Sequence, residues 1–128
     1  MTKIQNKNSL LDPFEIIIGD ALEIVPSLNE NFDLVFIDAA KYQYLEYIKS
    51  VLNKLKKEGL IIADNIFYSN KIFKKKISNH DNNSVMGLRK YINYISSNAI
   101  FNNNYFNIGD GLVVSEYKGI NKKIKNNE

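Results

Sequence analysis

A chain of 128 residues, 45% apolar, 12% aromatic and 24% charged, has room for one domain built on one core. It contains no cysteine, which excludes a disulfide framework, a thiolate nucleophile and a sulfur-ligated metal. The net charge of +3 permits contact with a polyanion such as RNA without demanding it. No apolar run approaches the roughly 20 residues that cross a bilayer. Met1 to Asp12 also lacks the apolar centre of a signal peptide. The expectation is a cytoplasmic protein with no membrane contact, its residues 1–12 and 119–128 forming flexible ends.

Taken in chain order, three short β-branched runs end in acidic or amide residues. Phe14 to Ile18 leads to Gly19-Asp20, Phe32 to Ile37 leads to Asp38, and Leu60 to Ala63 leads to Asp64-Asn65. Continuous apolar runs bounded by turn residues suit strands buried on both faces of a parallel sheet. Between them, Ala21 to Leu28 reads as a short helix with Asp20 as N-cap. Tyr42 to Lys57 reads as a longer one, with an apolar stripe through Tyr44, Leu45, Ile48, Val51, Leu52 and Leu55 and with Gly59 as its C-cap. The Asn-rich stretches Asn79 to Asn83 and Asn102 to Asn104 read as loops, and Lys71 to Lys76 as a basic, solvated segment. A third helix is expected over Met86 to Ser97. Strands over Tyr105 to Ile108 and Leu112 to Tyr117 follow, joined as a hairpin by Gly109-Asp110-Gly111. The pattern predicts an α/β domain.

In open sheets of this kind ligands bind beyond the carboxyl ends of the strands, where Asp20, Asp38, Asp64 and Asn65 all fall. Adjacent strands lie about 4.8 Å apart, so Asp38, Asp64 and Asn65 can converge on one ion. Two carboxylates and an amide form a hard-oxygen set suited to Mg²⁺. Helix capping and turn formation are the competing roles for each of them taken singly. Lys41, three residues after Asp38, is a candidate general base, because an amine beside a cation gives up its proton more readily. His80 reads as a loop residue. Arg89 faces either an anionic substrate or solvent.

The order Gly19-Asp20-Ala21-Leu22-Glu23, Phe36-Ile37-Asp38-Ala39-Ala40-Lys41, Ala63-Asp64-Asn65 and Ile108-Gly109-Asp110-Gly111-Leu112 resembles the caffeoyl-CoA and catechol O-methyltransferase family, from about Phe14 to Tyr117. The resemblance implies a Rossmann-like sheet, mostly parallel with a C-terminal antiparallel hairpin, that uses S-adenosylmethionine and a divalent cation such as Mg²⁺. It further implies that Asp38, Asp64 and Asn65 hold the metal and that Lys41 takes the proton from the attacking hydroxyl. Asp20 and Ala21 would border the adenine, with Asp38 also close to the reacting end. The stretch Ala39 to Tyr44 is more similar to the bacterial subgroup that methylates 5-hydroxyuridine in the tRNA anticodon. Either a tRNA or a small phenol offers the hydroxyl with a vicinal oxygen that such chemistry needs.

Complete members of that family have a first strand with a glycine-rich turn and a second strand ending in an acidic residue. None of the six glycines here forms such a turn. The expectation is therefore a C-terminal portion of the fold, lacking the first two strands, with weak or absent cofactor binding. Its first segment should pair elsewhere, swap with another chain or stay loosely attached, and its partner should be a second copy or a missing N-terminal half. Two readings from other classes compete with the methyltransferase. One is a noncatalytic α/β interaction module, and the other is a receiver-like or phosphoryl-transfer domain.

Overall fold

The computed structural model describes residues 2–5 and 14–119. Two strands open the chain: β1 (Thr2–Gln5) and β2 (Glu15–Ile18) pair antiparallel with Thr2 opposite Ile18. Thr2–Gln5, expected in a loose end, is thus a strand. The remainder of that end, 6–13, and the tail 120–128 lie outside the described residues. Asp20 then starts helix α1 (Ala21–Ile24), and its carboxylate accepts the Leu22 N–H at 3.0 Å, the cap the sequence predicts. Pro26 tightens the continuation into a 3-10 turn over Val25–Ser27.

The main sheet has four strands in the order β3 (Phe32–Ile37), β4 (Leu55–Asp64), β6 (Leu112–Tyr117) and β5 (Phe101–Phe106). β3 and β4 run parallel, and β6 pairs antiparallel with both β4 and β5, so the chain ends on the expected hairpin. Separating β3 from β4 is helix α2 (Tyr44–Val51), entered through a 3-10 turn at Lys41–Gln43 and left through another at Leu52–Lys54. Helix α3 (Asn82–Ser97) precedes the hairpin.

Several boundaries differ from the sequence reading. Leu55 to Lys57 belong to β4 and not to the preceding helix, so Gly59 lies inside a strand and caps nothing. The pairing explains its identity: the register slips between Phe32, opposite Leu55, and Leu34, opposite Leu60. At this irregularity the backbone folds close on itself, and a Cβ on Gly59 would lie 2.8 Å from the Lys56 carbonyl oxygen. Asn102 to Asn104 sit in β5 and not in a loop. Asn103 is satisfied there, donating to the Ile95 carbonyl at 2.8 Å and accepting from Ser115 Oγ at 2.6 Å. Asn82 and Asn83 begin α3.

Alternation along the strands sends Ile37, Ile61, Ala63, Val113 and Tyr117 into one core, with Tyr44 and Ile48 of α2 and Leu88, Tyr91 and Ile95 of α3. Leu34 and Phe36, one position out of phase, point to the opposite face and stay 51% and 53% exposed. Among the described residues β3 is the edge strand on that side of the sheet. Among the described residues no helix is long and apolar enough to cross a membrane.

Candidate active site

The parallel pairing of β3 with β4 sets the site. Ile37 lies opposite Ala63, so the next residues, Asp38 and Asp64, leave the sheet side by side at its carboxyl end. Asn65 turns through a left-handed backbone (φ 58°), and its side-chain amide donates to Asp38 Oδ1 at 3.1 Å. Its own N–H donates to Asp64 Oδ1 at 2.8 Å. Asp38 and Asn65, 27 positions apart in the chain, therefore meet head to head. The Asp64 backbone is fixed from below by Tyr44, whose buried hydroxyl donates to the Asp64 carbonyl at 2.8 Å. Burial, and after it the charge of Asp38, pushes the Tyr44 hydroxyl up to about 12, which keeps it a donor.

Lys41 sits on the 3-10 turn that follows β3, with its Nζ 5.4 Å from the centre of the Tyr68 ring. Lys71 Nζ lies 4.7 Å from the centre of the same ring. Both distances are within cation–π range. Gly87 of α3 sets the height of this turn. A Cβ there would lie 2.5 Å from Tyr42 Cα and 2.7 Å from the Lys41 carbonyl oxygen, so helix and turn touch backbone to backbone.

The loop after Asn65 is sewn to the hairpin turn. Ile66 N–H donates to Gly111 O (3.2 Å), Phe67 N–H to Asp110 O (3.0 Å), and Ser69 N–H to the Asp110 carboxylate (2.6 Å). Gly111, at φ 86°, faces the Phe67 ring where a Cβ would come within 2.4 Å. The Gly-Asp-Gly signal thus does more than turn the hairpin: it holds the loop beside Lys41. Arg89 is half-buried and engaged with backbone. Its guanidinium donates to the Ile72 and Lys74 carbonyls at 3.0 and 2.7 Å, tying down the basic segment.

Asp20 and Ala21 lie at the start of α1. A cavity of about 190 Å³ is lined by Ala21, Val25, Phe36, Asp38, Ala39 and Tyr47, so Ala21 and Asp38 share one hollow. Its lining is mostly apolar, and its volume is smaller than the 300 Å³ or more that a whole drug-sized ligand occupies. It has the size and character for a single ring system.

Among the described residues no three His, Cys, Asp or Glu side chains cluster closely enough to hold a metal ion. The carboxylates at the site number two, Asp38 and Asp64. The Asn65 amide is the third oxygen-bearing group in reach, so the set is all oxygen and fits a hard cation that draws further oxygens from solvent or substrate. Sequence reasoning missed Tyr44, taken as one more apolar position of a stripe, and missed Tyr68, Asp81 and Asp110 as partners in the site. Asp81 falls in the Asn-rich stretch read as a loop, ahead of the expected helix start at Met86, so no local signal marked it.

Comparison with known proteins is consistent with this geometry. A family described as "O-methyltransferase" matches residues 2–118. A catechol O-methyltransferase of Niastella koreensis is 31% identical over 98 residues, 73% of this chain and 43% of that protein. A candidate caffeoyl-CoA O-methyltransferase of Staphylococcus aureus superposes with a TM-score of 0.71 at 30% identity, over 79% of this chain and 50% of that structure. A Podospora anserina methyltransferase solved with SAH bound gives a TM-score of 0.69 at 25% identity, over 80% and 48%. The chain thus spans about half the length of the relatives it matches. With residues 2–118 of the 128 covered by the family match, the chain belongs to the O-methyltransferase family.

Proposed function

We propose that this chain forms the metal- and acceptor-binding half of an S-adenosylmethionine-dependent, divalent-metal-assisted O-methyltransferase. The observation that carries the reading is the meeting of Asp38 and Asn65 at 3.1 Å across two strand ends, with Asp64 beside them. Asp38, Asp64 and Asn65 would hold the cation. When bound, that cation supplies charge that favours the ionised form of an acceptor hydroxyl chelated through a vicinal oxygen. Lys41 would accept the proton from that hydroxyl. Asp20, Ala21 and Asp38 would border the cofactor, with the adenine in the hollow under Ala21. The rest of the cofactor cradle would come from polypeptide beyond this chain, docked along β3, the edge strand among the described residues. This agrees with a cavity too small for the whole cofactor.

The acceptor would be a catechol-like phenol or 5-hydroxyuridine in tRNA, each presenting two adjacent oxygens. The exposed Lys74, Lys75 and Lys76 suit tRNA phosphates, whereas Lys71 is already paired with Asp81. A noncatalytic interaction module is the second reading. It is favoured by the exposed Leu34 and Phe36 next to the open β3 edge.

The test is transfer of labelled methyl from S-adenosylmethionine to catechol and to an anticodon stem-loop bearing 5-hydroxyuridine. It is run with Mg²⁺ or EDTA, on the chain alone and after addition of the N-terminal half of a relative. The expected result is transfer only in the complemented mixture, abolished by EDTA and by Lys41→Ala. Transfer that survives both treatments would sink the reading.

A further inference from the structure

Asp81 occupies the position before α3 where a carboxylate normally accepts a backbone N–H of the first turn, yet its side chain makes no cap bond. Both its oxygens are engaged elsewhere. Oδ1 accepts the Tyr68 hydroxyl at 2.8 Å, while Oδ2 accepts Ser78 Oγ at 3.0 Å and pairs with Lys71 Nζ at 3.0 Å. The Asp81 side chain is 12% exposed, whereas that of Lys71 is 34% exposed, so the tyrosine and serine contacts lie deeper than the ion pair. Tyr68 itself stands at the head of three consecutive left-handed residues: Tyr68 (φ 50°), Ser69 (53°) and Asn70 (61°). No glycine relieves that run, and non-glycine residues hold such a conformation only where their surroundings enforce it. Asp110 anchors the middle of the run through Ser69 N–H, and Asp81 anchors its start through the Tyr68 hydroxyl.

We propose that Asp81 is a positioning residue for Lys41, acting through Tyr68: it latches the strained loop so that the Tyr68 ring stands over the Lys41 amine. The proposal rests on the reading of Lys41 as the proton acceptor, since only then does the placement of its amine matter to the reaction. Lys71 takes part on both sides, pairing with Asp81 and lying on the same ring as Lys41. Releasing Asp81 frees the tyrosine hydroxyl, lets the left-handed run relax and withdraws the ring from Lys41. Lys41 would keep its backbone position, which Gly87 sets independently.

The experiment is competitive acylation of lysines in the folded chain with a small N-hydroxysuccinimide ester, read residue by residue by mass spectrometry. It needs neither cofactor nor acceptor, so its outcome stays legible even if the methyl-transfer reading fails. Lys49 serves as internal reference, because it lies over a different ring, Tyr94, at 5.5 Å. Asp81→Asn and Tyr68→Phe should each raise the Lys41 rate relative to Lys49, roughly two- to five-fold, the factor matching loss of one exposed cation–π contact. Tyr68→Phe keeps the ring and removes only the latching hydroxyl, so it decides the matter should Asp81→Asn fail to fold. Asp81→Glu should restore the wild-type ratio. An unchanged Lys41 to Lys49 ratio in Tyr68→Phe overturns the proposal, and so does a parallel rise at both lysines, which marks general loosening.

Discussion

Two buried tyrosines of the core touch each other and should respond oppositely to the same substitution. Tyr44 and Tyr91 are both fully buried, and their rings meet edge to face at 5.8 Å. The Tyr44 hydroxyl donates to the Asp64 carbonyl, whereas the Tyr91 hydroxyl is buried with no partner among the described residues. Tyr44→Phe removes a made hydrogen bond and leaves a carbonyl short of a donor, a loss of about 1–3 kcal/mol. Tyr91→Phe removes an unpaired polar atom whose desolvation costs about 1–3 kcal/mol, set against a void the size of one oxygen. The net expectation for Tyr91→Phe is a gain of about 0.5–2 kcal/mol. Urea unfolding at pH 7 measures both, with a constant m-value as the check that only the native state has changed. Because the rings touch, the double variant should be measured too, and its departure from additivity reports their coupling.

The pH dependence gives a second handle on the same pair. The Tyr44 hydroxyl is raised from 10.0 to about 12, so its folded form holds the proton more tightly than the unfolded chain does. That contribution is fully present below pH 10 and is lost as the pH rises through about 12. The gap between wild type and Tyr44→Phe should therefore close across that interval. Destabilisation by Tyr91→Phe equal to that by Tyr44→Phe would refute the argument, since it would mean that hydrogen bonding does not distinguish the two sites.

Other outcomes follow from the site and the sheet. Titration of S-adenosylhomocysteine into the chain, with and without Mg²⁺, should show weak or no binding; saturable micromolar binding would mean that the cradle is completed without further polypeptide. The Asp81 carboxyl is held down, at about 2, first by the Tyr68 hydroxyl and then by Lys71. Its stabilising effect is thus present above pH 4 and fades as the pH falls toward 2. The difference in thermal midpoint between wild type and Asp81→Asn should follow that course, and a difference that peaks near pH 2 would contradict it. Gly87→Leu should destabilise by about 1–3 kcal/mol, because the atoms it would strike are backbone and cannot rotate away; an unchanged urea midpoint would count against that close approach. The chain should dimerise through the β3 edge and the face carrying Leu34 and Phe36, with Phe36→Glu shifting it toward monomer in sedimentation. A wild-type monomer at all concentrations would rule that out.

The sequence by itself determined the class of the fold and the presence of polar residues at the strand ends. Period-2 and period-3.6 patterns are local, so β3, β6, α1 with its Asp20 cap and the Gly109-Asp110-Gly111 hairpin were legible from residues alone. The motif residues Asp38, Asp64 and Asn65 were legible too, because polar groups at the ends of apolar runs stand out. Tertiary structure decided what depends on residues far apart in the chain. Leu55 continues the stripe of α2, yet its pairing with Phe32 of β3 draws the chain into β4 there, where ladder bonds outweigh helix periodicity. Asn102 to Asn104 read as a loop until Ser115 and the Ile95 carbonyl satisfy Asn103 inside the sheet. Tyr44 carries an apolar ring and a polar tip, and only the fold shows that the tip reaches Asp64, 20 positions away. The latch of Asp81, Tyr68 and Lys71 was invisible for the same reason. Its strain lies in backbone angles and its support in side chains 10 to 13 residues off, and no periodicity records either.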